Sequence, residues 1–233
     1  MATAPGSSRI LRAVRFAFLF DVDNTLLDND RAKADLAAGI EDAVGKAGAD
    51  RFWGIYEDVR RMRDYVDYLH TLERFREALP NEPGFPAVAD LVLAYPYQTV
   101  LYPGALEVIA KVQSMGPAAI VTDGDPVYQP AKIARAGLSD AVERRVFLFI
   151  HKEAHLAEVQ QALPADRYVI FDDKPDVLAR VERMDDRVFT VHVRQGHYGR
   201  APATDDGPRP DRSVDRIGDL LDLDLSSFLA DSR

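Results

Sequence analysis

The amino-acid sequence contains no cysteine and no long apolar run, and each absence excludes a class of protein. A chain of 233 residues without cysteine has no disulfide, no thiolate metal site and no cysteine nucleophile. Its apolar runs fall short of the roughly 18–20 residues that a membrane-spanning helix requires. The short run Phe16–Phe20 follows Arg9, Arg12 and Arg15, but it leads directly into Asp21 with no small-residue cleavage site. We therefore interpret this run as a buried strand rather than a signal peptide, and we expect a cytoplasmic protein.

Positive charge is also scarce. The 29 lysine and arginine residues are outnumbered by 38 aspartate and glutamate residues, which gives a formal net charge of −9. Such a charge disfavours contact with a phosphate backbone, so we expect no nucleic-acid partner. With 47% apolar and 29% charged residues, the composition is that of a globular protein. The length fits one α/β domain with a sizeable insertion, and no pattern indicates an oligomeric state.

Apolar runs alternate with helix-compatible segments over much of the chain. The runs are nearly continuous, as expected for strands that helices cover on both faces. The predicted strands are Val14–Phe20, Ala118–Thr122, Val146–Ile150, Tyr168–Phe171 and Val188–Val193, and the predicted helices are Gly104–Met115, Pro126–Ala136, Glu153–Leu163 and Pro175–Met184. This alternation predicts an α/β fold with a doubly wound parallel sheet. Ligands of such sheets bind beyond the carboxyl ends of the strands, so the candidate site residues are those that follow each run.

Residues 28–102 interrupt the alternation. Their pattern is mostly helical, with a break near Leu79–Pro86. We interpret them as a small α-helical cap, inserted into a core that consists of residues 1–27 and 103–233. The periodic apolar positions of the cap predict one buried helix face, formed by Ile55, Val59, Met62, Val66 and Leu69. Near the end of the chain, residues 200–212 are predicted to form a loop, and Ser213 is predicted to cap a final helix through Leu221.

The first candidate site lies in the segment DVDNT, directly after the first strand. In an extended backbone, a spacing of two residues directs Asp21 and Asp23 to the same side. Two adjacent carboxylates repel each other unless a cation or a shared proton lies between them. The pair suits magnesium, which prefers oxygen ligands, and it suits a division of roles between a nucleophile and a proton carrier. The alternative is an acidic surface turn that includes Asn24 and Thr25.

Two further strand ends carry groups that can bind an anion. Thr122 offers a hydroxyl, and the amides of Asp123 and Gly124 can donate to phosphate oxygens at the turn that follows. Lys152 follows the next strand and can neutralise charge on a phosphate or on an attacking carboxylate. Lys132, in the helix after Thr122, is the alternative lysine. Considered separately, the threonine is equally compatible with a helix cap, and each lysine with the solvated surface.

The end of the fourth strand is acidic. Asp172 and Asp173 follow its apolar run, and Asp176 lies about one helical turn beyond Asp172. A metal ion that bridges these carboxylates to Asp21 would offset their mutual repulsion. Asp176 by itself is also compatible with an acidic helix N-terminus that the helix dipole stabilises.

Taken in order, these four segments resemble the motifs of the haloacid dehalogenase superfamily, from about Val14 to Met184. The superfamily consists mostly of phosphatases and phosphotransferases on a doubly wound α/β core. The implied roles are a nucleophile at Asp21, a general acid/base at Asp23, phosphate contacts at Thr122 and Lys152, and magnesium ligands at Asp21, the carbonyl of Asp23 and Asp172, with Asp173 or Asp176 in support. The sequence departs from the usual pattern at Asn24 and Phe171, where glycine is common, and at Glu153, where proline often follows the lysine.

The resemblance implies a magnesium-dependent hydrolase of small phosphate monoesters that works through an aspartyl phosphate. Its partner would be a small phosphorylated metabolite, selected by the cap. The alternatives are a 2-haloacid dehalogenase, in which Asp21 attacks carbon, a phosphotransferase, and a catalytically silent binding relative. Dehalogenases of the superfamily need no metal and lack the second aspartate, so Asp23 and Asp172 favour phosphate chemistry.

Overall fold

The protein is described by a computed structural model over residues 15–201 and 209–230. Six parallel strands form one sheet in the order β3-β2-β1-β4-β5-β6. The strands are β1 Phe16–Phe20, β2 Ala118–Asp123, β3 Val146–Phe149, β4 Arg167–Asp172, β5 Val188–Val193 and β6 Arg212–Val214. The predicted doubly wound α/β fold is confirmed, and all five predicted strands are present. Val14, Arg9 and Arg12 lie outside the described residues.

Ten α-helices accompany the sheet in the described part of the chain. They are α1 Asn29–Arg63, α2 Tyr68–Ala78, α3 Phe85–Ala94, α4 Ala105–Gln113, α5 Tyr128–Arg135, α6 Leu138–Ala141, α7 Leu156–Ala162, α8 Pro175–Met184, α9 Gly196–Gly199 and α10 Leu225–Ala230. Short 3₁₀ helices form at Tyr97–Val100, Lys152–His155 and Ile217–Leu221. The four predicted core helices correspond to α4, α5, α7 and α8, and α7 is extended at its N-terminus by the 3₁₀ turn. None of the described helices is both long and apolar enough to cross a membrane.

Helices pack on both faces of the sheet, which explains the nearly continuous apolar runs. Side chains of a strand alternate between its two faces. Accordingly, Phe18 and Phe20 of β1 belong to one apolar cluster and Ala17 and Leu19 belong to another. All four are at most 1% exposed. The exception is β3, whose residues are half-buried because it is an edge strand.

Helices α1, α2 and α3 lie between β1 and β2 in the chain and form the segment that we propose as the cap. They pack on one another through aromatic side chains, and the rings of Phe52 and Phe75 meet edge to face at 5.4 Å. The two connections to the core run side by side, since the Asp28 amide donates to the Val100 carbonyl at 2.8 Å and the Tyr102 amide donates to the Leu26 carbonyl at 3.0 Å. These pairs support the predicted boundaries 28–102, which stay a proposal.

The predicted apolar face of the cap is only partly correct. Ile55 and Val59 are buried, but Met62 is 60% exposed. Helix α1 ends at Arg63 because Asp64 adopts a left-handed conformation, with φ of 63°. The chain turns there, so Val66 and Leu69 belong to the next connection and to α2, and they do not continue the face of α1. The predicted break near Leu79–Pro86 is confirmed, since α2 ends at Ala78 and α3 begins at Phe85.

The prediction for the last part of the chain is wrong. Ser213 does not cap a helix, because Arg212–Val214 forms β6 and pairs with β5. The residues up to Leu221 form a 3₁₀ helix. Three residues are too few for a readable alternation of polar and apolar side chains, and β6 exists because the edge of β5 is available to it. Most of the loop predicted at 200–212 lies outside the described residues.

Candidate active site

The reversal of strand order brings the ends of β1 and β4 together at the centre of the sheet. Asp21 follows β1, and its amide donates to the carbonyl of Phe171 in β4 at 3.0 Å. Asp172, the last residue of β4, is therefore beside it. Lys152 arrives from the far side of β2, in the 3₁₀ turn that follows β3. The ends of three strands and the turns that follow them thus place a lysine and two aspartates next to one another. This position beyond the carboxyl ends of the strands is where doubly wound sheets bind their ligands.

Lys152 supplies the positive charge between the ends of β1 and β4. Its Nζ contacts Asp21 Oδ1 and lies 2.7 Å from Asp172 Oδ2. The three side chains are at most 6% exposed, so the charges interact with little screening by water. Burial would lower the pKa of Lys152, but the charges of Asp172 and Asp21 outweigh burial and raise it, so the lysine stays charged.

The Asp21 carboxylate is destabilised despite this cation. Burial raises its pKa to about 6, Lys152 opposes the shift, and the charge of Asp172 adds to it. A desolvated carboxylate that lacks full charge compensation is a stronger nucleophile than a solvated one, because less water must be removed from it during attack. The environment of Asp21 is therefore suited to the nucleophilic role that its motif predicts.

Asp173 is the second acidic ligand candidate beyond β4. Asp21, Asp172 and Asp173 each offer a carboxylate oxygen, and these oxygens lie within 4.8 Å of one another. Burial raises the pKa of Asp173 to about 9, and the charges of Asp21 and Asp172 add to the shift. Asp176 is exposed on the first turn of α8. Of the two residues predicted to support Asp172, the geometry favours Asp173.

Asp23 occupies a separate environment from Asp21. Its side chain is 31% exposed, and its Oδ1 contacts Nζ of Lys132, which is 5% exposed. Gln129 Nε2 donates to Asp23 Oδ2 at 3.3 Å, and Lys132 Nζ donates to Asn29 Oδ1 at 2.9 Å. The side chain of Asp23 is not part of the acidic group at Asp21. The predicted magnesium contact of its main-chain carbonyl stays a prediction.

The two candidate lysines therefore have different positions. Lys152 contacts Asp21 and Asp172, whereas Lys132 contacts Asp23. Helix α5 directs both Lys132 and Gln129 to the same point, because residues three apart lie on one helix face. From the sequence, Lys132 is predicted only as the alternative lysine, and Gln129 is not predicted to lie at the site. The spacing of three residues between them on one helix is the feature that could have placed both side chains at the same point.

Thr122 and its neighbours form the side of the site opposite Asp172. Thr122 is 1% exposed, and its hydroxyl accepts a hydrogen bond from Gln129 Nε2 at 3.3 Å. Asp123 Oδ1 accepts from the Lys152 amide at 2.7 Å, which connects the second motif to the third. The Gly124 amide donates to the Phe149 carbonyl at 3.1 Å, so a phosphate contact there would require that bond to open. The phosphate roles of Thr122, Asp123 and Gly124 stay predictions.

Asn24 accounts for one departure from the usual motif. The residue has φ of 62°, a left-handed conformation that asparagine tolerates better than most residues. Its Oδ1 accepts from the amides of Asn29 and Asp30, at 3.1 and 3.2 Å, so it also binds the start of α1. Gly196 packs against it so closely that an added Cβ would lie 2.3 Å from Asn24 Cγ. Asparagine therefore replaces the usual glycine and adds a cap for the first helix.

Lys174 is a charged group at the site that the sequence had not marked. It follows Asp173, and it is close enough to Asp21 and Asp172 for their charges to raise its pKa against the opposing effect of burial. It also lowers the pKa of Asp21. The sequence feature that could have identified Lys174 is its position directly after the two aspartates of the fourth motif.

The fold and this arrangement of side chains are those of an α/β enzyme with an aspartate-rich site beyond its central strand. The family model of haloacid dehalogenase-like hydrolases matches residues 17–183. The chain therefore belongs to the haloacid dehalogenase-like hydrolases. Comparison with curated proteins gave no match.

Solved structures agree with this assignment. A protein of Burkholderia xenovorans LB400, classed as a haloacid dehalogenase-like hydrolase, is 41% identical, with a TM-score of 0.83 over 93% of this chain and 100% of its own. The HAD-hydrolase YfnB of Bacillus subtilis, bound to magnesium, is 15% identical, with a TM-score of 0.61 over 90% and 98%. An L-2-haloacid dehalogenase of Xanthobacter autotrophicus, with chloropropionic acid covalently bound, is 22% identical, with a TM-score of 0.55 over 88% and 96%. The latter two support the fold alone.

Proposed function

We propose that this hydrolase cleaves small phosphate monoesters, with magnesium as cofactor and through an aspartyl phosphate on Asp21. The observation that carries the proposal is the group of three buried carboxylates, since Asp21, Asp172 and Asp173 meet within 4.8 Å and Lys152 contacts two of them. Dehalogenation at carbon needs neither a metal nor a second acid, because halide leaves without a proton. A phosphate ester needs both charge compensation and proton transfer.

The three carboxylates fit a magnesium ion in donor type, and several of their oxygens have no hydrogen-bond donor. Within the described residues, Asp21 Oδ2 and both side-chain oxygens of Asp173 accept no hydrogen bond, although they are buried. Buried carboxylate oxygens rarely stay unpaired, and magnesium takes oxygen ligands. Asp21, Asp172 and Asp173 would hold the ion, with the main-chain carbonyl of Asp23 as a further predicted ligand. Bound there, magnesium would offset the negative charge of the phosphate and of the attacking carboxylate.

The side chains then have separable tasks. Asp21 attacks phosphorus, which forms a bond from its carboxylate oxygen and releases the ester oxygen. Lys152 holds Asp21 in place and offsets charge as the phosphate approaches. Asp23 takes part in proton transfer, and a water molecule then cleaves the aspartyl phosphate and regenerates Asp21. Thr122 and its neighbours would contact the phosphate oxygens.

A 2-haloacid dehalogenase is the second candidate. The specific observation in its favour is the structural likeness to L-2-haloacid dehalogenases, which have the same fold. In that reaction Asp21 would form an ester to carbon and release halide, and the buried lysine beside it would stay useful. Asp23 and the unpartnered oxygens of Asp173 would have no task, which is why we place it second.

The deciding experiment measures two products from the same protein. Phosphate release from a panel of small phosphate esters is measured with magnesium and with chelator, and chloride release from 2-chloropropionate is measured alongside. The chain, its Asp21→Asn variant and an Asp50→Asn variant are compared. Asp50 is an exposed cap residue that pairs with Lys46, so it is a matched control for loss of one carboxylate.

We expect phosphate release that requires magnesium, that Asp21→Asn abolishes and that Asp50→Asn preserves. Chloride release in the presence of chelator would instead establish the dehalogenase. Folded protein that releases neither product, with magnesium and across the panel, would refute the hydrolytic proposal in favour of a phosphotransferase or a silent binding relative.

A further inference from the structure

Helix α1 folds back on itself, so that its end returns to its start. Gly45 has a non-helical backbone, with φ of 69° and ψ of 171°, and divides the helix into two halves. In a straight helix Lys33 and Glu57 would be about 36 Å apart. Instead, Lys33 Nζ lies 3.9 Å from Glu57 Oε1 and 4.8 Å from the ring centre of Tyr56. The second half therefore runs antiparallel to the first, and Arg60 returns to the start of the helix.

The core contacts the same end of the cap through α9. The His197 amide donates to Asp30 Oδ2 at 2.8 Å, and His197 Nδ1 lies 2.6 Å from Asp30 Oδ1. Asp30 and Arg60 are equally distant from Gly45 in the chain, so the fold of α1 places them opposite each other. Tyr198, the next residue of α9, is therefore within reach of Arg60.

Arg60 lies between Tyr198 on one side and Tyr56 on the other. Burial would lower the pKa of Arg60, but Tyr56 and Glu57 raise it. Tyr198 acts in the same direction, in part through a side-chain hydrogen bond with Arg60. Burial raises the pKa of Tyr56 to about 12, while Arg60 opposes this shift and Asp23 adds to it. Tyr56 is thus a neighbour of both Arg60 and Asp23.

Tyr198 extends this connection to the other side of the site. Lys174 Nζ lies 5.5 Å from the centre of the Tyr198 ring, and Lys174 interacts in turn with the charge of Asp21. Tyr198 is 42% exposed and the Arg60 side chain is 48% exposed, so a molecule that enters from solvent can contact both. Arg60 therefore lies at the mouth of the site, one side chain away from Asp23 and from Lys174.

The guanidinium of Arg60 retains free donor capacity. Its ion pair with Glu57 spans 3.7 Å, which exceeds the length of a hydrogen bond, and Glu57 is shared with Lys33. The adjacent Arg61 differs, since it donates to Asp58 at 2.6 Å and its side chain is 78% exposed. A guanidinium offers five N–H donors in a planar fork that fits carboxylate and phosphate oxygens. Arg60 is therefore available to an anion at the mouth of the site.

We propose that Arg60 and Tyr198 form a subsite for a second anionic group, so that the preferred substrates are short phosphate esters whose leaving group ends in a carboxylate or in another phosphate. The inference rests on the proposed phosphatase function and narrows its substrate class. In the proposed reaction the phosphate lies at Asp21 and the leaving group lies on the side of Asp23, one side chain from Arg60. The guanidinium would bind the anion through paired donors, and the Tyr198 hydroxyl would donate a further hydrogen bond.

The test compares substrates that differ only at the end remote from the ester. For chains of two, three and four carbons, the diol monophosphate ends in a hydroxyl, the hydroxy-acid phosphate in a carboxylate and the diol bisphosphate in a second phosphate. We measure kcat and KM for each with magnesium. At least one anionic ester should exceed its hydroxyl counterpart in kcat/KM by about tenfold or more, since hydrogen bonds to charged groups contribute about that factor. The series that reaches this ratio identifies the anion.

Variants at two adjacent arginines test whether Arg60 carries the preference. Arg60→Met should raise KM for the preferred anionic ester by about tenfold with kcat nearly unchanged, and it should leave the hydroxyl counterpart unaffected. Arg60→Lys should retain part of the preference because the charge stays. Tyr198→Phe should lose part of it because the hydroxyl is removed and the ring stays. Arg61→Met is the matched control and should change neither ester, since Arg61 is already paired with Asp58.

The outcomes separate this inference from the function on which it rests. No turnover of any ester by the unaltered enzyme would refute the proposed function, and the subsite with it. Turnover without a preference for either anionic series would refute only the subsite. Equal losses for the anionic and the hydroxyl ester in Arg60→Met would do the same, because they would show that Arg60 only connects the cap to the core.

Ionic strength provides a check that needs no variant. Arg60 is partly exposed, so the preference for the anionic ester should fall as salt is added, whereas turnover of the hydroxyl ester should change much less. A preference that is insensitive to salt would contradict the subsite. If Arg60→Met fails to fold, this comparison and the kinetics of Tyr198→Phe still decide the proposal.

Discussion

Two groups of charged side chains beyond the sheet differ in composition and burial. The Asp21 cluster, which consists of Asp21, Lys152, Asp172 and Asp173, is almost fully buried, and its three carboxylates outnumber the two nearby ammonium groups of Lys152 and Lys174. The Asp23 pair, which consists of Asp23 and Lys132, contains one charge of each sign, and its aspartate is 31% exposed. The two aspartates are only two positions apart in the chain, yet their partners come from different strands and helices.

The difference shows what each group lacks. In the Asp21 cluster, burial together with the charges of Asp21 and Asp172 raises the pKa of Asp173 to about 9, and several carboxylate oxygens have no donor. The cluster therefore calls for a cation. The Asp23 pair is balanced and its oxygens have donors, so it calls for no ion. Metal affinity should depend on the first group and proton transfer on the second.

The largest expected effect comes from the nucleophile. Asp21→Asn should reduce kcat for 4-nitrophenyl phosphate on the order of 10⁶-fold, as for loss of a covalent nucleophile that acts with its partners as a unit. Steady-state release of nitrophenol measures the loss, and an unchanged melting curve relative to Asp50→Asn would exclude unfolding as its cause. A loss below tenfold would mean that Asp21 is not the attacking group.

A smaller loss is expected at the Asp23 pair, and it should fall on a different step. Asp23→Asn should slow turnover by about 10²–10⁴-fold, since a general base is removed. Because nitrophenolate is a weak base that leaves without a proton, formation of the aspartyl phosphate should be less affected than its cleavage, and a burst of nitrophenol followed by slow turnover is expected in stopped-flow measurements. Equal slowing of the burst and of the steady state would remove the distinction between the two groups.

The excess charge of the Asp21 cluster should also appear in stability without metal. The folded chain retains a proton on Asp173 up to pH about 9, whereas the unfolded chain loses it near 3.8, so the folded state binds more protons in this range. Asp173 should therefore lower the free energy of unfolding in chelator as pH rises through this range, by at most about 1.4 kcal/mol per pH unit. Asp21 contributes with the same sign up to pH about 6.

Asp173→Asn should flatten this dependence and stabilise the metal-free protein at alkaline pH. Denaturation by urea at an acidic and an alkaline pH within the range measures the change, and Asp50→Asn is the matched control. The same substitution should weaken magnesium binding, which isothermal titration measures directly. An unchanged pH dependence in Asp173→Asn would show that Asp173 is ionised in the folded chain.

The smallest expected effect concerns the contact between Gly196 and Asn24, the residue that follows Asp23. Gly196 has φ of 62° and faces Asn24, so Gly196→Ala should cost roughly 1–3 kcal/mol of stability through strain and contact with the asparagine. Gly54 lies exposed in α1 with open space around it, and Gly54→Ala should instead stabilise slightly. Thermal melting of the two variants gives the comparison, and equal shifts would mean that the contact with Asn24 is easily relieved.

Local patterns were sufficient for most of the fold and for the position of the nucleophile. The apolar runs predicted five of six strands because each leads directly into a polar residue and all but the edge strand β3 are buried on both faces. Strand β6 was not predicted because three residues are too few to show an alternation of polar and apolar side chains. The predicted apolar face of α1 extended too far because nothing in the sequence near Asp64 indicates its left-handed conformation. Asp21, Lys152 and Asp172 could be grouped because strand ends of a doubly wound sheet converge.

The sequence alone determined that this chain is an α/β enzyme of the haloacid dehalogenase type with an aspartate pair after its first strand. Only the tertiary structure decided how the charges are divided between the two aspartates. Whether Asp173 or Asp176 faces Asp21, and whether Lys132 or Lys152 does, depends on which side of a turn or helix points inward and on partners more than a hundred positions away. Long-range pairs of this kind leave no periodic trace in the sequence, because each is formed by the packing of separate elements.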